Sequence, residues 1–326
     1  MFFDTLAEKR GEILVRAIHD SNPQLCALVL RDGANTALQI EGTPGKTPLM
    51  LAAELRRTEI VRLLLAHSGI NPDIRDNNNR SPLSHAVFHE NAEIVELLLA
   101  IPQVDPTSCD IKGRSPLLLA AMCGRMGWPS HAYKKIVRML LATGKYNAHI
   151  NRGSHDGTTP LHAAAKIGHT EAVEMLLAVP DVDVDCRDNL NQSPLLLAMS
   201  APHKAMDSTF LDLVRSGRVD GSVVGPRGQT PLHAAALHDR LHVVRGLLDQ
   251  GVEPDPLDDA LCTPLMLAVE GLPQYGGCLA ARSVRTVWED GVMVGCDPGE
   301  GVVEMLLATP RGGCRCIAGM RTGTAR

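Results

Sequence analysis

The sequence predicts an all-α solenoid built from repeated helix–turn–helix units, and two observations carry this prediction. A Thr/Ser-Pro-Leu triplet recurs along the 326 residues, with successive starts 34, 34, 44, 34, 37 and 33 residues apart. Only 3% of the residues are aromatic although 44% are hydrophobic. Since aromatic side chains supply much of the buried area of a wide core, the core here must consist of thin aliphatic layers. The triplets begin at Thr47, Ser81, Ser115, Thr159, Ser193, Thr230 and Thr263.

Each triplet predicts the beginning of the first helix of a unit. Proline is tolerated in the first turn, where its missing N–H has no intrahelical partner, and the preceding Thr or Ser can act as the N-cap. The stretch Ile60 to Leu65, whose Val61 lies 14 residues after Thr47, predicts the second helix and recurs in later units. Gly113 and Gly157 each stand just before a triplet and suit a turn with positive φ, as does Gly228.

These features resemble the ankyrin repeat, and the resemblance covers nearly the whole chain. It implies an ankyrin repeat solenoid of helix–turn–helix units with short β-hairpin fingers, in which stability comes from the stacking of neighbours. We expect residues 1–40 to form an N-terminal capping or degenerate repeat, with Ile13 to Ile18 in its first helix. Residues 41–270 are then an array of about six to seven repeats. Residues 271–300 are expected to be a flexible insertion, and residues 301–326 an incomplete final repeat with an irregular tail.

The longest step between triplets contains an insertion. Val137 lies 22 residues after Ser115, which places eight extra residues between two helices, around Met126 to His131. Trp128 lies in this insertion. It is interpreted either as an anchor for a partner, because exposed tryptophan is favoured at binding hot spots, or as a side chain that folds back over a neighbouring helix.

Composition and charge narrow the class of protein. The 32 basic and 37 acidic residues give a net charge of −5, so we expect no direct binding of nucleic acid. No apolar run approaches the roughly 18 residues that a membrane span needs, and the N-terminus does not resemble a secretory signal. The nine cysteines form no disulfide framework. We therefore expect a monomer in the cytoplasm, the nucleus or both.

The motifs of catalysis and metal binding are absent from the sequence. It contains neither a phosphate-binding glycine loop nor a nucleophile elbow. His162 and His233 follow Thr-Pro-Leu without a neighbouring nucleophile, and we interpret them as hydrogen-bonding to the backbone of an adjacent repeat. The spacing of Cys314 and Cys316 does not match paired zinc ligands. We expect no enzymatic activity, no cofactor and no metal site. The alternative from another class is a metal-binding or enzyme-associated subunit that uses the cysteine-rich C-terminal segment.

The resemblance implies a non-catalytic protein–protein interaction module, an adaptor or scaffold that binds an unidentified partner through the concave face of the stack. A narrower alternative is a transcription coregulator that binds a transcription factor. Four apolar residues, Phe88, Met122, Ile167 and Leu237, are predicted to recur at one outward slot of the first helix. They either form an exposed interaction patch or contact the adjacent repeat. The candidate partner-binding residues are Arg80, Phe88, His89, Lys112, Arg114, Met122, Cys123, Trp128, Ile167, Arg227, Gln229, Leu237 and His238.

Overall fold

The all-α prediction is confirmed by the computed structural model, which describes residues 2–123, 131–199, 207–222, 224–270, 288–289, 292–293 and 302–307. The helices follow one another in pairs, two to each repeat. They are α1 (Phe2–His19), α2 (Pro23–Arg31), α3 (Pro48–Glu54), α4 (Thr58–Ala66), α5 (Pro82–Phe88), α6 (Ala92–Leu99), α7 (Pro116–Met122), α8 (His131–Ala142), α9 (Pro160–Ile167), α10 (Thr170–Leu177), α11 (Pro194–Met199), α12 (Asp207–Arg215), α13 (Pro231–Leu237), α14 (Leu241–Asp249), α15 (Pro264–Glu270) and α16 (Val302–Leu307).

The triplets begin the first helices as predicted. Each of the seven helices that follow a triplet starts at the proline, so the residue without an N–H occupies the position where none is needed. In several repeats the preceding hydroxyl caps the helix: Ser81 Oγ accepts a hydrogen bond of 3.2 Å from the N–H of Ser84, and Ser115 Oγ accepts one of 3.2 Å from Leu118. Thr47 makes no such side-chain bond to its helix. Local chemistry thus fixes where each first helix begins.

The leading unit lacks the triplet but keeps the helical pair. The predicted segment Ile13 to Ile18 lies within α1, and Asn22 caps α2 through a 3.0 Å hydrogen bond from the N–H of Leu25 to its Oδ1. Leu14 and Ile18 are fully buried. The residues that face the next repeat are therefore apolar even though the triplet is missing.

The insertion between α7 and α8 lengthens α8, the second helix of the fourth repeat. Residues 124–130, which include Trp128, lie outside the described residues, and α8 then runs for 12 residues where α6 has 8. Tyr133 lies in the additional turn and is 3% exposed. Part of the insertion is therefore helical and contributes to the core.

The fingers are tight turns. In the finger after α4, the N–H of Asp76 donates to the carbonyl of Arg80 at 3.0 Å. In the finger after α6, the N–H of Asp110 donates to the carbonyl of Arg114 at 3.0 Å. Neighbouring fingers are also joined, because the N–H of Ile111 donates to Asn78 O at 2.9 Å. The described finger residues contain no β-strand, since these single hydrogen bonds are too few to form a ladder.

The chain divides into two compact units, Met1–Ala163 with Ala178–Val182, and Ala164–Leu177 with Asp183–Arg326. In the first unit, first helices pack on first helices (α3 on α5, and α5 on α7) and second helices on second helices. The second unit follows the same scheme with α11, α13 and α15. Successive aliphatic layers therefore form the core of each unit.

The C-terminal part continues the pattern after the insertion. Two short antiparallel strands, β1 (Trp288–Glu289) and β2 (Val292–Met293), pair within residues 271–300, and the remainder of that insertion lies outside the described residues. The helix α16 packs on α14 and α15 with Val302 and Leu306 each 1% exposed. It occupies the place of a second helix for the final repeat. Residues 308–326 lie outside the described part.

Candidate protein-interaction surface

The outward slot, the position seven residues after the Thr or Ser of a triplet, holds an exposed apolar residue in two adjacent repeats. Phe88 and Met122 are the last residues of α5 and α7, and their side chains are 53% and 39% exposed. The opposite side of the same helices is closed, with Leu83 and Leu117 fully buried. Core packing therefore does not account for the apolar character of the outward slot in the first unit.

In the second unit the outward slot holds Leu237, which is 36% exposed. The prediction that Ile167 shares this slot is wrong by one position. Lys166 lies seven residues after Thr159, and Ile167, the next residue, is half-buried. The two repeats can be aligned by the turn residue with positive φ that follows each first helix. This residue comes nine positions after the start of the triplet in both repeats, at Glu90 and at Gly168.

The residue after the outward slot is His89, Cys123 or His238 in different repeats. His89 and Cys123 are half-buried, whereas His238 is exposed. The Cys123 sulfur lies 3.7 Å from the carbonyl oxygen of Val87 and 3.8 Å from that of Phe88. Burial raises the pKa of the Cys123 thiol to about 12. The side chain thus contacts the preceding repeat as a neutral thiol.

Two of the arginines predicted to bind a partner are bonded to their own fingers. Arg80 Nε donates to Asp76 Oδ2 at 3.1 Å, and Arg114 Nη2 donates to Asp110 Oδ2 at 2.6 Å. Each arginine side chain is about a quarter exposed, at 24% and 25%. Lys112, at the tip of the third finger, is exposed. The fingers therefore present a lysine and the outer edges of two arginines.

In the second compact unit, the finger before α13 contains Arg227 and Gln229. Arg227 is exposed and has a φ of 64°, and its carbonyl accepts a 3.0 Å hydrogen bond from the N–H of Asp259. Gln229 is half-buried, and its Nε2 donates to Asp258 Oδ2 at 3.5 Å. Both residues therefore also connect this finger to the next one.

The predicted partner-binding residues do not include the apolar residues at the finger tips. Ile111 is 54% exposed in the first unit, and Leu190 and Leu261 are each 71% exposed in the second. A signal was present in the sequence: Ile111 falls 34 residues after Asn77, so one finger position is polar in one repeat and apolar in the next. Such substitutions at a solvated turn are candidates for binding residues.

The predicted hydrogen bond from a triplet histidine to backbone beyond its own helical pair is confirmed at His233. Thr159 Oγ1 lies 2.9 Å from His162 Nδ1, and Thr230 Oγ1 lies 2.9 Å from His233 Nδ1. His233 Nε2 then donates to the carbonyl of Cys262 at 3.0 Å, in the finger between α14 and α15. Both imidazoles are fully buried. Both imidazoles contact the N-cap threonine of their helix, and His233 also connects that cap to the backbone of the next finger.

His85 is a buried histidine that the sequence reasoning did not single out. Its Nε2 lies 3.0 Å from Asp76 Oδ2, and Asp76 Oδ1 accepts the N–H groups of Asn78 and Arg80, each at 2.9 Å. Burial lowers the pKa of His85 to about 4, against the opposing effect of the Asp76 hydrogen bond. A neutral imidazole therefore joins α5 to the second finger.

Comparison with known proteins agrees with this geometry. The family model described as ankyrin repeats in three copies matches residues 13–110, 68–147, 98–188 and 129–208, and the model of the single ankyrin repeat matches residues 227–259. These matches cover more than half of the chain. The chain belongs to the ankyrin repeat family. Ankyrin repeats generally mediate protein–protein interaction, and the family is typically non-catalytic.

Relatives align over parts of the chain. It is 31% identical over 104 residues to ankyrin repeat-containing protein C6C3.08 of Schizosaccharomyces pombe, over 32% of this chain and 44% of that protein. It is 33% identical over 127 residues to putative ankyrin repeat protein FPV223 of Fowlpox virus, over 39% of this chain and 85% of that protein. It is 32% identical over 127 residues to the B-cell lymphoma 3 protein homolog of Mus musculus, over 37% of this chain and 27% of that protein. The helices that the structure describes include none with the length and apolar character to cross a bilayer.

Proposed function

We propose that the chain is a non-catalytic adaptor or scaffold that binds a protein partner through its first helices and finger tips, the side that is concave in ankyrin stacks. The observation that carries the proposal is the pair of exposed apolar residues at the outward slot, Phe88 and Met122, on helices whose other side is closed. The exposed finger residues Ile111 and Lys112 lie in the intervening loop. An apolar patch with a polar rim is the composition of a protein-binding site.

A pull-down with matched variants tests this proposal. The full chain is compared with Phe88→Glu/Met122→Glu, and with Leu237→Glu for the second unit, because a buried charge in an interface abolishes binding. The control is Leu28→Glu, which introduces the same charge at an equally exposed residue of a second helix, 55% exposed. We expect partners recovered with the wild type and with Leu28→Glu to be lost with the double variant.

If every recovered interaction survives Phe88→Glu/Met122→Glu and Leu237→Glu, the assignment of the surface is wrong. The identity of the recovered partner decides the narrower alternative, in which the chain is a coregulator that binds a transcription factor. Size-exclusion chromatography with light scattering tests the proposed monomer, and a nucleic-acid shift assay tests the expected absence of direct nucleic-acid binding. Immunofluorescence of the tagged chain tests the proposed cytoplasmic or nuclear location.

A further inference from the structure

Two neighbouring repeats bring three potential metal ligands together beside Phe88. Glu54 is the last residue of α3, His85 lies on α5, and His89 follows the end of α5. One potential ligand atom from each of these residues, the His–Glu cluster, lies within 4.8 Å of the other two. His85 is 2% exposed, and the other two residues are half-buried. The cluster is thus closed on one side and reachable on the other.

The spacing of the histidines suits a shared ion. His85 and His89 are four residues apart, and the N–H of His89 donates to the carbonyl of His85 at 3.1 Å, which continues the helical turn between them. Histidines at i and i+4 lie on one face of a helix, the arrangement used by helical zinc sites. The ring of Phe88 stands edge-on to that of His89, with centroids 5.3 Å apart and an interplanar angle of 80°. This contact restricts the orientation of the second imidazole.

The surroundings of His85 are those of a metal-binding histidine. Because Asp76 is a carboxylate that accepts at 3.0 Å, the His85 proton resides on Nε2, and Nδ1 keeps its lone pair. A carboxylate behind the ring fixes the tautomer and increases the basicity of the other nitrogen. Asp76 is itself held by the two backbone N–H groups of its finger. The second shell of a zinc site is therefore already formed.

We propose that Glu54, His85 and His89 bind a zinc ion, with water in the fourth position. Zinc is four-coordinate with nitrogen and oxygen ligands at about 2.0–2.2 Å, which places ligand atoms about 3.4 Å apart. The present separation of up to 4.8 Å requires a small closure of the half-buried Glu54 and His89 side chains.

Lys46 competes with zinc for the carboxylate of Glu54. Its Nζ lies 2.5 Å from Glu54 Oε2, so the ammonium group occupies the carboxylate that zinc would take. Zinc must displace this lysine, and zinc affinity is therefore lowered by the cost of breaking the pair. Lys46→Met removes the competing charge and keeps much of the side-chain volume. We expect this variant to bind zinc more tightly than the wild type.

Isothermal titration of the full chain with zinc chloride tests the proposal. His89→Gln and Glu54→Gln should each weaken the site at least about tenfold, the lower end of the losses seen even for second-shell changes. His238→Gln is the matched control. His238 occupies the position in its repeat that His89 occupies in its own, but the position that corresponds to His85 is Ala234. It should titrate like the wild type, and Lys46→Met should bind several-fold more tightly.

Cobalt spectroscopy separates this site from binding by cysteine. Cobalt chloride added to the wild type should produce weak d–d bands of nitrogen and oxygen ligation, and His89→Gln should lose them. The proposal is overturned if His89→Gln and Glu54→Gln titrate like His238→Gln, or if all bound cobalt shows thiolate charge transfer. Circular dichroism of each variant confirms that the helices are retained.

Discussion

The hydroxyl oxygen of Tyr146 accepts a hydrogen bond of 3.1 Å from the backbone N–H of Leu117, in the first turn of α7. The same hydroxyl donates to the carbonyl of Pro106, in the loop before that helix. Tyr146 is 1% exposed and comes from the loop after α8. One side chain thus satisfies a backbone group in the first turn of α7 and another in the loop between α6 and α7.

Tyr146→Phe is expected to destabilise the protein by about 1–3 kcal/mol, because it removes the shared partner of two buried polar groups while the ring volume is kept. Urea denaturation followed by circular dichroism measures the free energy of unfolding. A change below about 0.3 kcal/mol would show that water replaces the hydroxyl, against this expectation.

Gly113→Ala is expected to cost more than Gly144→Ala. Both glycines have positive φ, 75° and 67°, so each substitution carries the strain of a Cβ in that region, about 1 kcal/mol. At Gly113 the new Cβ would also lie 2.9 Å from His155 Cδ2 and 3.2 Å from the His155 nitrogen, whereas nothing lies within 4 Å at Gly144. We expect an additional loss of about 1 kcal/mol at Gly113 in thermal or urea unfolding. Equal losses would show that the finger of Gly113 and the finger of His155 can move apart without a loss of stability.

Leu261→Asn is expected to stabilise the protein by about 0.5–1 kcal/mol. Leu261 has a φ of 61° in the finger position that Asn79 and Asn191 occupy elsewhere, and asparagine tolerates this conformation. Leu190→Asn is the control, since Leu190 is equally exposed at 71% and its φ is negative. The melting temperature should rise for the first variant only. A rise in both would assign the effect to the lost apolar surface.

Cys123 is expected to react slowly with iodoacetamide at pH 8. The thiolate is the reactive form, and a pKa of about 12 leaves very little of it at this pH. Peptide mapping by mass spectrometry should show labelling at least about a hundredfold slower in the native chain than in the urea-unfolded chain. Comparable rates in the two states would contradict burial of this sulfur against α5.

The Glu54–His85–His89 cluster could not be predicted in full. The spacing of His85 and His89 is visible in the sequence and was overlooked, but Glu54 lies 31 residues earlier than His85. Its proximity depends on how α3 packs on α5 and on which side of each helix the two residues take. The error at Ile167 has a different cause, because Ile167 lies eight residues after Thr159 whereas Phe88 lies seven after Ser81, and the sequence spacing itself separates the two positions.

The sequence by itself determined the repeat, the first residue of the seven helices that follow a triplet, and the positive φ of Gly113 and Gly157, because caps and turns depend on residues within four positions of one another. Tertiary structure decided that the Tyr146 hydroxyl bonds the first turn of α7 and that Phe88 stays exposed. These outcomes depend on contacts across repeats and on the rotamers that packing selects, and residue spacing along the chain does not specify them.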